Sequence, residues 1–184
     1  MNSNQTAIKT AQPSEAMTWI DFSSDHAQGV EAFKNGMACL GSAVNVITTC
    51  VDGQYAGFTA TAVTSVSDTP PSLLVCLNRN SSVFNTFKNA THLCVNTLSA
   101  QQAAISGLFA GKLTQQERFE SVDWQAFITG SPVIEGCNHA FDCQISQRLD
   151  SGTHVILICD ILGVANHKDT SNLVYFNRQY HELY

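Results

Sequence analysis

The sequence predicts a mainly β domain, antiparallel in build with helices at its periphery, and three observations carry that prediction. Short apolar runs rich in β-branched residues, such as residues 73–77 and 155–160, are bounded by turn residues. Two of the boundaries, Asp52-Gly53 and Asp150-Ser151-Gly152, have the composition of tight hairpin turns. The regular strand–helix alternation of a parallel, doubly wound sheet is missing.

The elements follow in order. Residues 1–23 are largely polar and read as a mobile tail, which leaves 24–184 as one domain. Ser23 or Ser24 is the candidate N-cap of a helix reaching Leu40, because Val30, Phe33, Met37 and Leu40 recur at helical spacing and Gly41 follows as a stop. That stripe reads as core packing. Residues 43–50 and 55–66 read as strands joined at Asp52-Gly53, and Pro70-Pro71 ends the second because proline cannot donate to a ladder. Residues 73–77 are a third strand. Ser81 or Ser82 caps a short helix holding Val83, Phe84 and Phe87, and residues 92–98 are a fourth strand. Ser99 caps a helix over 100–109 that Gly111 ends. Residues 112–124 are polar and irregular and read as a surface excursion. Residues 141–149 and 153–165 form a strand pair, and 173–176 a last short strand.

Composition excludes several classes. A net charge of −6 provides no basic stripe for nucleic acid and no polybasic patch for a membrane. Only 13% of residues are charged against 44% hydrophobic, so part of the surface is expected to be covered in a homodimer. The seven cysteines are odd in number, and none are paired at C-x-x-C spacing. They read as free thiols in a reducing cytoplasm, and no metal site is expected. Residues 1–18 lack the apolar core of a secretory signal, and no run approaches the ~18 apolar residues of a membrane span. The expected location is cytoplasmic.

Residues 57–71 are the most distinctive stretch. Thr59, Thr61, Thr64, Ser65 and Ser67 interleave with Ala60, Ala62, Val63 and Val66. Small side chains let a ligand approach the backbone, and hydroxyls with free N–H groups can hold a phosphate or a polar chain. The plain alternative is a Thr-rich edge strand with one solvated face. Other signatures are missing: no G-x-G-x-x-G, H-E-x-x-H or G-x-S-x-G occurs, and Gly111-Lys112-Leu113-Thr114 lacks both the upstream glycine and the ending of a Walker A loop.

The run GFTATAVTSVSDTPPSLLVCLN, preceded by SAVNVITT and followed by LCVNTLSAQQ and SGTH, resembles the short-chain flavin reductase family from about residue 33 to residue 184. These are reductase components of two-component flavin monooxygenases. The likenesses include the reductase partner of 4-hydroxyphenylacetate hydroxylase and the flavin reductase of the pyrimidine-utilisation pathway. The resemblance implies an antiparallel split β-barrel of the FMN-binding type, built as a homodimer. It implies reduction of free flavin, FMN or FAD, by NADH, with NADPH as the second choice of donor. Reduced flavin would then pass to a separate flavin-dependent monooxygenase acting on an aromatic or pyrimidine ring. A flavin-binding electron carrier without NADH oxidation is the alternative.

The same resemblance assigns residues. Ser42-Ala43-Val44 and Ala60-Thr61-Ala62 offer small walls with free backbone to a flavin ring. Val66, Ser67, Asn78, Ser81 and Ser82 offer polar anchors. Arg79 either meets the phosphate or is a solvated loop residue. Phe109 stands where the family often has an aromatic near the flavin, with helix-end packing as the other reading. Gly152-Thr153-His154 stands where the family usually has Gly-Asp-His, so Thr153 replaces the acidic residue and puts a carboxylate role there in doubt. His154 is the implied catalytic residue, beside nicotinamide and flavin. Arg178 and Tyr180 belong to a terminal aromatic-x-Arg-x-aromatic element, implied to meet a phosphate and stack on a ring, or else to form a dimer-interface patch.

Overall fold

The computed structural model describes residues 20–167 and 171–184. These fall into two compact units, one ending at Leu40 and one spanning Gly41–Tyr184. The tail expected over residues 1–23 lies mostly outside the described residues.

In the first unit, helix α1 spans His26–Ala38, and its N-cap is Asp25, whose carboxylate accepts from the Gln28 N–H at 2.9 Å. The expected caps, Ser23 and Ser24, lie just before it: the Ser23 N–H and hydroxyl both donate to the Asp21 carboxylate, each at 2.8 Å. Phe33, Met37 and Leu40 are exposed, contrary to the expected core stripe, and both core clusters are built from residues after Gly41.

The second unit is organised by a seven-stranded antiparallel sheet in the order β3-β2-β6-β9-β10-β5-β4. Its strands are β2 (Asn45–Val51), β3 (Gln54–Ala60), β4 (Val63–Asp68), β5 (Pro71–Asn78), β6 (His92–Thr97), β9 (His139–Ser151) and β10 (His154–Asn166). A three-stranded sheet joins β1 (Ser42–Ala43), β11 (Asn172–Phe176) and β12 (Gln179–Leu183), and β7 (Trp124–Ala126) pairs with β8 (Pro132–Ile134). Helices α2 (Phe84–Asn89), α3 (Ala103–Ala110) and α4 (Gln115–Glu120) are peripheral.

Both predicted hairpins form. Asp52 and Gly53 have φ of 51° and 77°, the left-handed pair that a two-residue hairpin turn needs, and Val51 faces Gln54. Strand alternation then divides the core. On β2, Ile47 enters a cluster with Val75, Leu77, Phe87 and Leu157, whereas Val46 enters a second cluster with Leu98, Phe109 and Leu173. Each such buried side chain contributes about 1.5–3 kcal/mol over its exposed state.

Three differences from the sequence reading matter for the site. The strand expected over 55–66 is two strands: the chain turns at Thr61 and Ala62, where the Val63 N–H donates to the Thr61 carbonyl at 3.0 Å and the Cys76 N–H to the Ala62 carbonyl at 3.1 Å. The two halves become the opposite edges of one sheet, joined by the two residues of that corner. Residues 112–124 are not irregular. Thr114 and Glu117 form a capping box that starts α4, which buries Arg118 and Phe119. The helix expected over 100–109 begins as a 3-10 turn, Ala100–Gln102, with Ser99 and Gln102 in a capping box of their own.

Candidate functional site

The corner at Thr61 and Ala62 opens a cleft of about 460 Å³. The register of β5 against β10 sets Asn78 opposite His154 at its wall. Alternation on β5 sends Leu73, Val75 and Leu77 into the core and turns Cys76 and Asn78 the other way. Gly152, with φ of 53°, makes the tight turn that starts β10 at His154. The Thr153 hydroxyl lies 2.9 Å from the His154 Nδ1, so the residue standing in the acidic position still makes a hydrogen bond to the imidazole. Beyond Asn78 the chain folds back: its Oδ1 accepts from the Asn80 N–H at 2.8 Å, and its carbonyl accepts from the Ser81 N–H at 3.0 Å. This turn brings Ser81 and Ser82 to the cleft.

Ala60, Thr61, Ala62, Asn78, Ser81, Ser82, Phe109 and His154 therefore line one cleft in one chain. The Phe109 ring is 1% exposed and packs edge-on against Phe119 at 5.3 Å. It forms a buried floor, fitted so closely that a Cβ on Gly57 would stand 2.7 Å from the ring.

Arg118 is the wall residue that the sequence reading missed. It is 4% exposed, and its guanidinium donates to the carbonyls of Gly57 (3.0 Å), Phe109 (2.8 Å), Gly111 (2.8 Å) and Leu113 (3.1 Å). Burial draws its pKa below the usual value, yet an arginine stays cationic in a protein. The capping box Thr114-Gln115-Gln116-Glu117 was the readable signal for its helix. Cys76 also lines the cleft, with its thiol pKa raised by burial, which disfavours a thiolate nucleophile. Among the described residues, no carboxylate lines the cleft. Among the described residues no group of three His, Cys, Asp or Glu side chains could hold a metal.

The remaining candidates lie elsewhere in the chain. Ser42 and Ala43 pair with Tyr175 and Val174 of β11, and Val44 is 1% exposed in the core. Ala43 and Ser67 line a separate, mostly apolar hollow of about 440 Å³, and Val66 is half-exposed on the edge strand β4. The register shift between Ser65 and Ser67 and the bond from the Thr69 N–H to the Ser67 hydroxyl (3.0 Å) orient that end of β4. Arg178 occupies the β11–β12 turn with φ of 61°. Tyr180 acts one layer behind the cleft: its hydroxyl meets that of Ser106 at 2.8 Å, and the Ser106 carbonyl accepts from Thr59 at 2.7 Å. Arg79 is ion-paired with Asp150 and faces another hollow.

Fold and cleft define a class: an antiparallel β protein with an open cleft at a sheet corner, walled by small residues, hydroxyls, an amide, an imidazole and one buried cation. The family model described as Flavin reductase like domain matches residues 37–184, and the chain belongs to that family. It is 50% identical over 151 residues to "FMN reductase (NADH) RutF" of Serratia proteamaculans, covering 82% of this chain and 86% of that one. The protein of the same name from Pseudomonas syringae is 49% identical over 152 residues, with 83% and 85% covered. A crystal structure of a protein assigned as a flavin reductase, from Haemophilus somnus, superposes with a TM-score of 0.81 at 44% identity, covering 84% of this chain and 99% of that one. BorF, the flavin reductase component of a bacterial two-component tryptophan halogenase, gives 0.78 at 25% identity, with 84% and 98% covered.

Proposed function

We propose that the protein reduces FMN with NADH and supplies the reduced flavin to a separate monooxygenase component. The observation that carries this reading is the cleft, in a chain half identical to relatives named FMN reductase (NADH). Its residues fit the group. Ala60 and Ala62 leave room for a flat ring beside the backbone, and Asn78, Ser81 and Ser82 offer an amide and hydroxyls to the ribityl chain and phosphate. A flavin, when bound, supplies the acceptor for the hydride that a nicotinamide donates.

The chain's own contribution is orientation and charge. His154 stands on the wall, held by Thr153, where it orients the donor against the ring. Arg118 places a permanent positive charge in a buried wall and so favours the negative charge that reduction adds. Without a carboxylate in the lining, the cleft is poorly equipped for hydrolysis and well suited to a transfer that needs no acid–base pair.

Three finer points belong to the same proposal. The two-residue link between edge strands β3 and β4 supports closure of the sheet into a split β-barrel. Exposed Val66, Leu149, Leu162 and Val164 support a homodimer. Seven free cysteines support a reducing, cytoplasmic setting. Among the described residues, no helix is long and apolar enough to cross a membrane.

Anaerobic NADH oxidation by the purified protein, with FMN and then FAD in excess, tests the function. Many turnovers per protein, faster with FMN, are expected. Tight flavin binding with no NADH consumption would replace this reading with an electron carrier.

A further inference from the structure

Three of the chain's nine lysines and arginines, Arg79, Lys88 and Arg148, meet in one hollow of about 340 Å³. In a chain of net charge −6, this is a local reversal of sign. One carboxylate lines the hollow, Asp150, whose side chain is 80% exposed and ion-paired with Arg79. Its apolar side is the half-buried Phe84, which stands over Leu77, Phe87 and Leu157, themselves fully buried in the core.

Part of this charge has a local duty. Lys88 lies in the last turn of α2, and Arg148 donates to the Ala90 carbonyl at the C-cap of that helix. A six-residue helix end does not need both cations, and Arg79 belongs to a different element. Cations beside a half-buried aromatic ring are the chemistry that receives a nucleotide: Phe84 takes a base, and guanidinium and ammonium groups take phosphates.

The hollow adjoins the cleft. Leu77 contributes to both, Asn78 faces the cleft while Arg79 faces the hollow, and His154 and Val155 divide in the same way. The Arg79 Nε donates to the His154 carbonyl at 3.4 Å, where the paired ends of β5 and β10 separate the two spaces.

We propose that this hollow holds the adenosine diphosphate half of a dinucleotide whose redox half occupies the cleft. The proposal rests on the flavin reductase reading above. Two co-substrates carry that chemistry, NADH and FAD, and the arms of the test separate them.

ADP is titrated into the flavin-free protein by calorimetry, and kinetics are then measured with Lys88→Gln and Arg79→Gln, both confirmed folded by thermal unfolding. ADP binds the parent, and each variant weakens it about tenfold, the loss of one charge-assisted contact. If the donor is the source, the variants raise the KM for NADH about tenfold and leave that for reduced nicotinamide mononucleotide unchanged. If FAD is the source, they raise the KM for FAD and leave that for FMN unchanged. No ADP binding to the parent, or ADP binding with neither split, overturns the proposal. The calorimetric arm needs no flavin reduction, so failure of the functional reading alone would leave ADP binding intact and be seen separately.

Discussion

The Arg118 guanidinium donates to the Gly57 carbonyl at 3.0 Å across a sequence separation of 61 residues. This bond ties α4 to the strand whose end becomes the cleft wall. The same group donates to Phe109, Gly111 and Leu113, so one buried cation fixes β3, the end of α3 and the loop after it.

Replacing Arg118 with Met is therefore expected to destabilise the fold by about 3–5 kcal/mol, because several buried carbonyls lose their donor at once. Thermal unfolding measures this. Arg118→Lys keeps the charge but not the fork, and is expected to fall between the two. A Met variant as stable as the parent would show that water replaces the guanidinium. In folded protein, a preference for reduced over oxidised flavin that is kept by the Lys variant and weakened in the Met variant would separate the role in charge stabilisation from the role in packing.

Thr61 stands exposed at the corner between β3 and β4 and lines the cleft. Thr61→Leu is expected to leave stability within about 0.5 kcal/mol, as surface changes do, while filling the ring's place and abolishing flavin binding. Flavin fluorescence titration reads the affinity, and an unchanged value would remove the ring from this wall.

How much of this was legible in the chain depends on the range of the interactions. The hairpin at Asp52-Gly53 and the small-residue run at residues 57–62 are local patterns, and the structure carries both. The break at Thr61-Ala62 was not legible, because alternation continues through it and only the pairing of Val63 with Val75 diverts the chain to the far edge. Arg118 looked like one charge in a polar stretch. Its burial depends on carbonyls of Gly57 and Phe109, which no local pattern records. Ser67, Arg178 and Tyr180 carry the right chemistry, but β4 and the β11–β12 hairpin set them away from the cleft of a single chain.

His154 is expected to govern turnover more than flavin affinity. It lies on the wall opposite Asn78, and its imidazole is hydrogen-bonded to Thr153. His154→Ala should lower kcat with NADH by about ten- to a hundredfold, the scale of lost orientation at a reacting centre, while the flavin Kd changes little. Stopped-flow reduction of bound flavin measures the first quantity and titration the second. Loss of affinity with turnover per bound flavin intact would make His154 a binding residue only.

The buried thiols set an alkaline limit on stability. Burial pushes Cys137 up to about 11 and Cys159 up to about 12, from an ordinary value of 9.0. A raised folded-state pKa means that the native chain keeps its proton while the unfolded chain loses it. Below pH 9 both states hold the proton, and these groups make stability independent of pH. Above pH 9 the unfolded state binds fewer protons, so stability falls as pH rises towards the folded value, by at most about 1.4 kcal/mol per pH unit for each thiol. Urea unfolding at pH 8, 9, 10 and 11 should show a midpoint that is level and then declines. Cys137→Ala removes one titrating group and should flatten the decline between pH 9 and about 11, although it lowers the plateau by the lost packing. A decline equally steep in that variant would assign the alkaline loss to other groups and show that the Cys137 thiol is not held in its protonated form by the fold.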